Sequence, residues 1–196
     1  MILGSCTAYG LSRFNYRFGF MRNSDISFFF LSQLILPPVV LALPFLVLYK
    51  ELDLLDTRIG LIGLYTLTVL PIVIWIMRDQ FGLIPVELEE AARIDGCSKL
   101  GEWWNVMIPA AKADLITLAM FVFIGTWSDF LWPLVILDDP GLFTLPLGLQ
   151  QLASSFSLDW RIVAAGSVVS ILPVLVMFVL LQRFILPNAS GDAVKG

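Results

Sequence analysis

The chain has 196 residues, 58% of them hydrophobic and only 14% charged, with no histidine and a net charge of −4; its mean hydropathy is +0.87. A soluble domain carries about 25% charged residues, so this composition excludes a soluble globular domain and points to the bilayer, while the acidic balance argues against nucleic acid. Without histidine there is no Ser-His-Asp triad, Cys-His pair or usual His-containing zinc site, and without a Gly-Lys dipeptide there is no P-loop, so no catalytic, metal or cofactor site is expected and any ATP must be bound by another chain.

Crossing ~30 Å of hydrocarbon takes about 20 apolar residues at ~1.5 Å each. Met1 to Tyr9 is apolar but too short, and it lacks the basic start of a signal peptide; it is either a disordered start or the tail of a span whose beginning is missing. Ile26 to Tyr49 is free of charge, as are Ile59 to Met77 and Ile162 to Gln182, and Leu115 to Leu137 holds one acid, Asp129. These are four complete predicted spans. Their prolines (Pro37, Pro38, Pro44, Pro71, Pro133, Pro173) are tolerable in a bundle, where neighbouring helices re-satisfy the freed backbone groups. Between the last two spans, 138–161 is too apolar for plain linker, and a short helix is expected around 147–156. It is either re-entrant or an amphipathic surface helix. The expected fold is therefore an all-α membrane protein, one domain over 1–196.

Orientation follows from lysine and arginine. Segments 10–25, 78–114 and 183–196 hold nine of them, and loops 50–58 and 138–161 hold three. The first set is placed in the cytoplasm, with the C-terminus, and the second outside. Cys6 and Cys97 then fall on or near the cytoplasmic side, where a disulfide is not expected.

The longest polar stretch, 78–114, is patterned. Pro85 suits a first helical position, Glu87, Glu89 and Glu90 favour the positive end of a helix dipole, and Gly96 suits the residue after a helix end. A helix of about three turns is predicted from Pro85 to Asp95, with Leu88, Ala91, Ala92 and Asp95 on neighbouring positions. Ser98 is a candidate N-cap of a second helix containing Trp103 and Trp104 and stopping near Pro109. Periodicity alone fits two amphipathic helices resting on the membrane surface equally well.

Glu90-Ala91-Ala92-x-x-Asp95-Gly96 followed by Ile108-Pro109 resembles the EAA loop of bacterial ATP-binding cassette (ABC) importer permeases. Cys97 stands where alanine is usual, Trp103 where phenylalanine is common, and Ala113 in place of a frequent second proline. Ala8-Tyr9-Gly10-Leu11-Ser12-Arg13-Phe14, the Trp127 to Leu134 stretch with Ser128 in place of the usual asparagine, Ala164 to Ser167, Ile171-Leu172-Pro173 and the ending Ala193-Val194-Lys195-Gly196 resemble the carbohydrate and glycerol-3-phosphate (maltose-type) branch. The resemblance implies the type I ABC importer transmembrane-domain helix bundle, usually of six spans. Here it would comprise four complete spans plus the end of a fifth, with the first span missing through a late-called start or a truncated gene. It also implies separate ATPase subunits, a second permease subunit in a heterodimer, an extracytoplasmic solute-binding protein, a sugar-type solute, membrane lipid around the spans and a bacterial cytoplasmic membrane. Glu90, Ala91, Ala92, Asp95 and Gly96 would form the ATPase-coupling set, Glu90 as polar anchor and Gly96 as the turn. Asp95 serves equally well as a cap of the second helix.

For a solute path the candidates are Asp129, Trp127, Trp132 and Gln33, with Gln182 weaker. An acid inside a span is a site hypothesis by default; the plainer reading is that Asp129 satisfies backbone freed at the Pro133 break. The tryptophans serve either as sugar-stacking surfaces or as interface anchors. An intramembrane aspartyl enzyme would need a second carboxylate, and no other span supplies one. The remaining alternatives are a non-functional or structural remnant of such a permease, or an ABC permease for another solute class.

Overall fold

The computed structural model describes residues 1–14, 17–18, 21–154 and 160–191. Apart from one antiparallel pair of two-residue strands, β1 (Arg17–Phe18) and β2 (Met21–Arg22), its regular structure is helical. Helices α1 (Ile2–Arg13), α2 (Asn23–Gln33), α3 (Pro38–Glu51) and α4 (Arg58–Leu83) precede the polar stretch. That stretch contains α5 (Val86–Ile94), α6 (Lys99–Glu102), a π-helical segment Trp103–Met107 and α7 (Ile108–Ala110). Then come α8 (Lys112–Trp127), α9 (Leu131–Ile136), α10 (Leu145–Ser154) and α11 (Trp160–Gly191).

Two expected spans are not continuous helices. Ile26 to Tyr49 is divided between α2 and α3, because Pro37 and Pro38 offer no N–H and push the residue before each out of the helical region; Pro38 then opens α3. Leu115 to Leu137 is divided at 128–130 between α8 and α9. By contrast, Pro71 lies inside α4 without ending it. The last expected span, Ile162 to Gln182, sits inside α11, whose 32 residues reach ~48 Å. The helix expected at 147–156 is α10, beginning two residues earlier; its expected last two residues, 155 and 156, and the ending 192–196 lie outside the described residues. Among the described residues, Arg58–Leu83 and Trp160–Arg183 are long and apolar enough to cross a membrane, and up to four segments are if α2 with α3, and Lys99–Ala110 with α8, each form one broken span.

The chain divides into two compact units: 1–35 with 69–119 and 183–196, and 36–68 with 120–182. In the first, α1 approaches α4 closely. A Cβ on Gly4 would lie 2.4 Å from Val73 Cγ1. Ala8, Tyr9 and Leu11 of α1 and Val73, Ile74, Met77 and Phe81 of α4 are buried. The second has a core of Tyr49, Leu64, Trp132, Ile136, Leu137 and Leu147. Its loop 52–57 is fixed by Asp56, which takes a left-handed backbone (φ 54°). The Asp56 N–H donates to the Ile136 carbonyl at 2.8 Å, and its carboxylate accepts the N–H groups of Asp138 (3.0 Å) and Asp139 (2.9 Å). Those two amides, Asp139 first, hold the Asp56 carboxyl below the usual range.

Candidate functional site

Helix α5 is short and heavily acidic, so its ends decide whether it forms. Pro85 is its N-cap rather than its first residue, which leaves Glu87 and Glu89 in the first turn, where the dipole favours them. At the other end Gly96 takes φ +86°. The Gly96 N–H donates to the Arg93 carbonyl (3.0 Å) and the Cys97 N–H to the Ala92 carbonyl (2.9 Å), the paired bonds of a Schellman ending. No atom lies within 4 Å of a Cβ built on Gly96, so conformation, not space, requires glycine there. Ser98 then caps α6, its hydroxyl accepting the Gly101 N–H at 3.2 Å.

The inward face of α5 is narrow. Only Glu89 and Ala92 of its nine residues are buried. Glu90, Ala91, Asp95 and Gly96 are exposed, as are Leu88 and Ile94, the latter 87% exposed. Of the five residues picked from the sequence, Glu90, Ala91 and Ala92 lie on α5 and Asp95 and Gly96 form its ending; Ala92 is buried and the rest are exposed. The inward turn is set by Glu89, whose carboxylate needs partners that water does not supply when its side chain is 1% exposed.

Those partners form a buried polar cluster. The Arg13 Nε of α1 is paired with Glu89, and its Nη2 donates to the Ile84 carbonyl (2.6 Å). The Tyr9 hydroxyl reaches Glu89 (3.2 Å) and Glu102 (3.3 Å). Arg93 sits 3.7 Å from Glu89 and donates to Glu102 (2.9 Å), which also accepts from Lys99 (3.1 Å). Lys99 lies over the Phe14 ring at 5.6 Å. Burial pushes the Glu102 carboxyl up, but hydrogen bonds from Arg93 and Lys99 outweigh it and hold it below the usual range. The bond to Glu102 raises the Arg93 guanidinium in turn. Sequence reasoning missed Glu102, used Arg13 only as a topology charge and as part of the Ala8 to Phe14 resemblance, and used Glu89 only as a dipole charge. The available signal was the spacing of Glu89 with Arg93 (i, i+4) and Lys99 with Glu102 (i, i+3).

After α6 the helix widens to a π-turn over Trp103–Met107, Trp103 buried and Trp104 61% exposed. It ends at Ala111, where the chain bends by 79° into α8.

In the second unit, a cavity of about 600 Å³ is lined by residues of α8, α10 and α11, among them Ile124, Trp127, Leu149, Gln150 and Ser167, together with Ser128. Trp127 is stacked on Phe123 (5.7 Å between centroids), and its indole N–H donates to the Ser170 carbonyl at 3.0 Å. Asp129 is not in that lining. Its carboxylate accepts the Tyr65 hydroxyl (3.0 Å) and the Trp132 N–H (3.1 Å), so it caps the start of α9. Trp132, a candidate for the solute path, is a core residue, 6% exposed and edge-on to Phe45 at 5.5 Å. Gln33 is exposed in the last turn of α2, and Gln182 is half-buried on α11.

A family model described as binding-protein-dependent transport system inner membrane component matches residues 1–188. The chain is 33% identical over 201 residues to the arabinooligosaccharides transport system permease protein AraQ of Halalkalibacterium halodurans, covering 100% of this chain and 68% of that one. It is 31% identical to the inner membrane ABC transporter permease protein YcjP of Escherichia coli (100% and 69%). Identity to the sulfoquinovosyl glycerol transport system permease protein SmoH of Agrobacterium fabrum is 30% (100% and 67%). Among solved structures, a bacterial ABC transporter involved in the import of the acidic polysaccharide alginate matches with a TM-score of 0.71 and 25% identity, over 93% of this chain and 67% of that one. The chain spans about two thirds of the length of these relatives. They are ABC permease subunits, transport components rather than enzymes.

Proposed function

Because the chain belongs to the family of binding-protein-dependent transport system inner membrane components, we propose that it is a permease subunit that lines part of a solute path and is driven through α5 by a separate ATPase. The observation that carries this is the state of α5: a helix stopped by a Schellman ending, anchored from beneath by Glu89, with Glu90, Ala91, Asp95 and Ile94 facing out. A stiff element with a free face is what transmission between two states requires, since a signal needs differential contacts and not nearness. Glu90 is the polar anchor to the ATPase and Ala91 the point of close approach.

The solute is a sugar or related compound, in keeping with the carbohydrates in the relatives' names. Trp127 in the cavity wall is the residue of the path with an aromatic face. The partners are ATPase subunits, a second and different permease subunit and an extracytoplasmic binding protein, in a bacterial cytoplasmic membrane with residues 78–114 and the C-terminus inside. The whole chain acts as one permease domain of four spans.

Ala91→Trp tests the coupling role, because Ala91 is exposed and the larger side chain spares the interior. In proteoliposomes holding the whole transporter, uptake should fall at least tenfold while the amount of assembled permease stays at the wild-type level. Unchanged uptake would remove the coupling role from this face.

A further inference from the structure

We propose that Glu89 and Arg13 are positioning residues that fasten α5 to α1, so that the two helices move as one body when the ATPase acts; this deepens the coupling reading and rests on it. Apolar packing holds little of α5. Of its nine residues only Glu89 and Ala92 are buried, and an alanine methyl contributes little apolar contact. Arg93 holds α5 to Glu102 of α6, whereas the tie of the helix to α1 runs through the Glu89 carboxylate.

That carboxylate is 1% exposed and is paired with the Arg13 guanidinium of α1. The same guanidinium also donates through Nη2 to the Ile84 carbonyl, two residues before the first residue of α5. Arg13 thus grips the segment on both sides of its N-cap, at the helix and ahead of it. Tyr9, one turn earlier on α1, adds a hydroxyl bond to Glu89. A planar guanidinium bound in two directions fixes orientation as well as distance, which a lysine in the same place does not do. The remaining cations of the cluster, Arg93 and Lys99, are about half exposed and belong to α5 and α6, so they do not tie α5 to α1.

The test uses the complete transporter with its ATPase subunits. Spin labels are placed on the natural, exposed Cys6 of α1 and on Glu87→Cys, an exposed position of α5 outside the coupling set, in a Cys97→Ala background. The distance between them should be the same with and without ATP in the otherwise wild-type protein; a change between the two states overturns the proposal without relying on any cluster variant. Glu89→Gln and Arg13→Lys should then broaden that distribution and lower solute transported per ATP hydrolysed by tenfold or more for Glu89→Gln, and by less for Arg13→Lys, while cross-linking of Ala91→Cys to the ATPase persists. Wild-type transport per ATP and an unaltered distance in both variants also overturn it. If Ala91→Cys never cross-links to the ATPase, the coupling reading fails, and the distance measurement still decides whether α1 and α5 are fastened.

Discussion

At Gly96 a single torsion decides where a helix stops. The left-handed backbone costs a residue with a Cβ about 1–2 kcal/mol, with asparagine penalised least. Gly96→Ala should therefore lower stability by about that amount, and Gly96→Asn by less, in thermal unfolding of the purified transporter. Equal effects from the two would mean that packing, not conformation, sets the position. Asp129 poses a different question at the same scale. Its carboxylate serves the Trp132 N–H and the Tyr65 hydroxyl, and an amide oxygen can accept both. Asp129→Asn should leave stability and uptake near wild type. Asp129→Ala should lose a cap of about 1 kcal/mol and leave the tyrosine without its acceptor, for about 1–3 kcal/mol more. A loss of uptake in Asp129→Asn with stability intact would instead assign the charge to solute handling.

Helix α5 was legible in the sequence because its boundaries are chemical: Pro85, three early acids, and glycine where a left-handed residue is needed. Which face it buries was not legible. Periodicity puts the alanines and Leu88 on neighbouring positions without saying which side turns inward, and the fold turned Glu89 inward, because Arg13, 76 residues away in sequence, waits there with a fixed positive charge. No pattern local to 85–96 reports a partner at that separation. Pro37, Pro38 and Pro133 were visible in the spans, but that the helices part at 34–37 and 128–130 was not, for another reason. Hydropathy sees apolar runs and is indifferent to whether prolines or a capping carboxylate divide them. Asp56 is a third such case, one of several outer acids by sequence and the clamp of loop 52–57 in the structure. Its folded pKa lies below the unfolded value, so the unfolded state binds more protons as pH falls. Its contribution is full above about pH 4, the ordinary aspartate value, and is lost as pH drops below that toward the folded pKa. Thermal stability should hold from neutrality to about pH 5 and decline below about pH 4. Asp56→Asn should make that decline shallower, and an acid limb of unchanged slope would show that other carboxylates carry it.

For the whole molecule, function depends on which side of the bilayer each polar segment faces. Nine of the twelve lysines and arginines lie in 10–25, 78–114 and 183–196, and that bias sets orientation because basic residues near span ends resist translocation. The helix proposed to meet the ATPase must then share a side with those charges. Glu51, Gln151, Glu90 and Ile94 are all exposed in the chain itself, so each can be probed in the permease expressed without its ATPase subunits, which would cover Glu90. Single cysteines at these positions, with Cys6 and Cys97 replaced, should divide cleanly under a membrane-impermeant thiol reagent. Glu51→Cys and Gln151→Cys should react in intact cells. Glu90→Cys and Ile94→Cys should react only once the membrane is permeabilised. The reverse pattern would place α5 outside, where no ATP-driven subunit can reach it, and would end the coupling role whatever the family. A mixed pattern, with Gln151→Cys shielded and Glu51→Cys reactive, would keep the orientation and show that α10 dips into the bilayer instead of lying on its outer surface. That distinction matters for the cavity beside Trp127, because α10 supplies Leu149 and Gln150 to its wall, and a re-entrant α10 would put that wall at the depth where a solute has to cross.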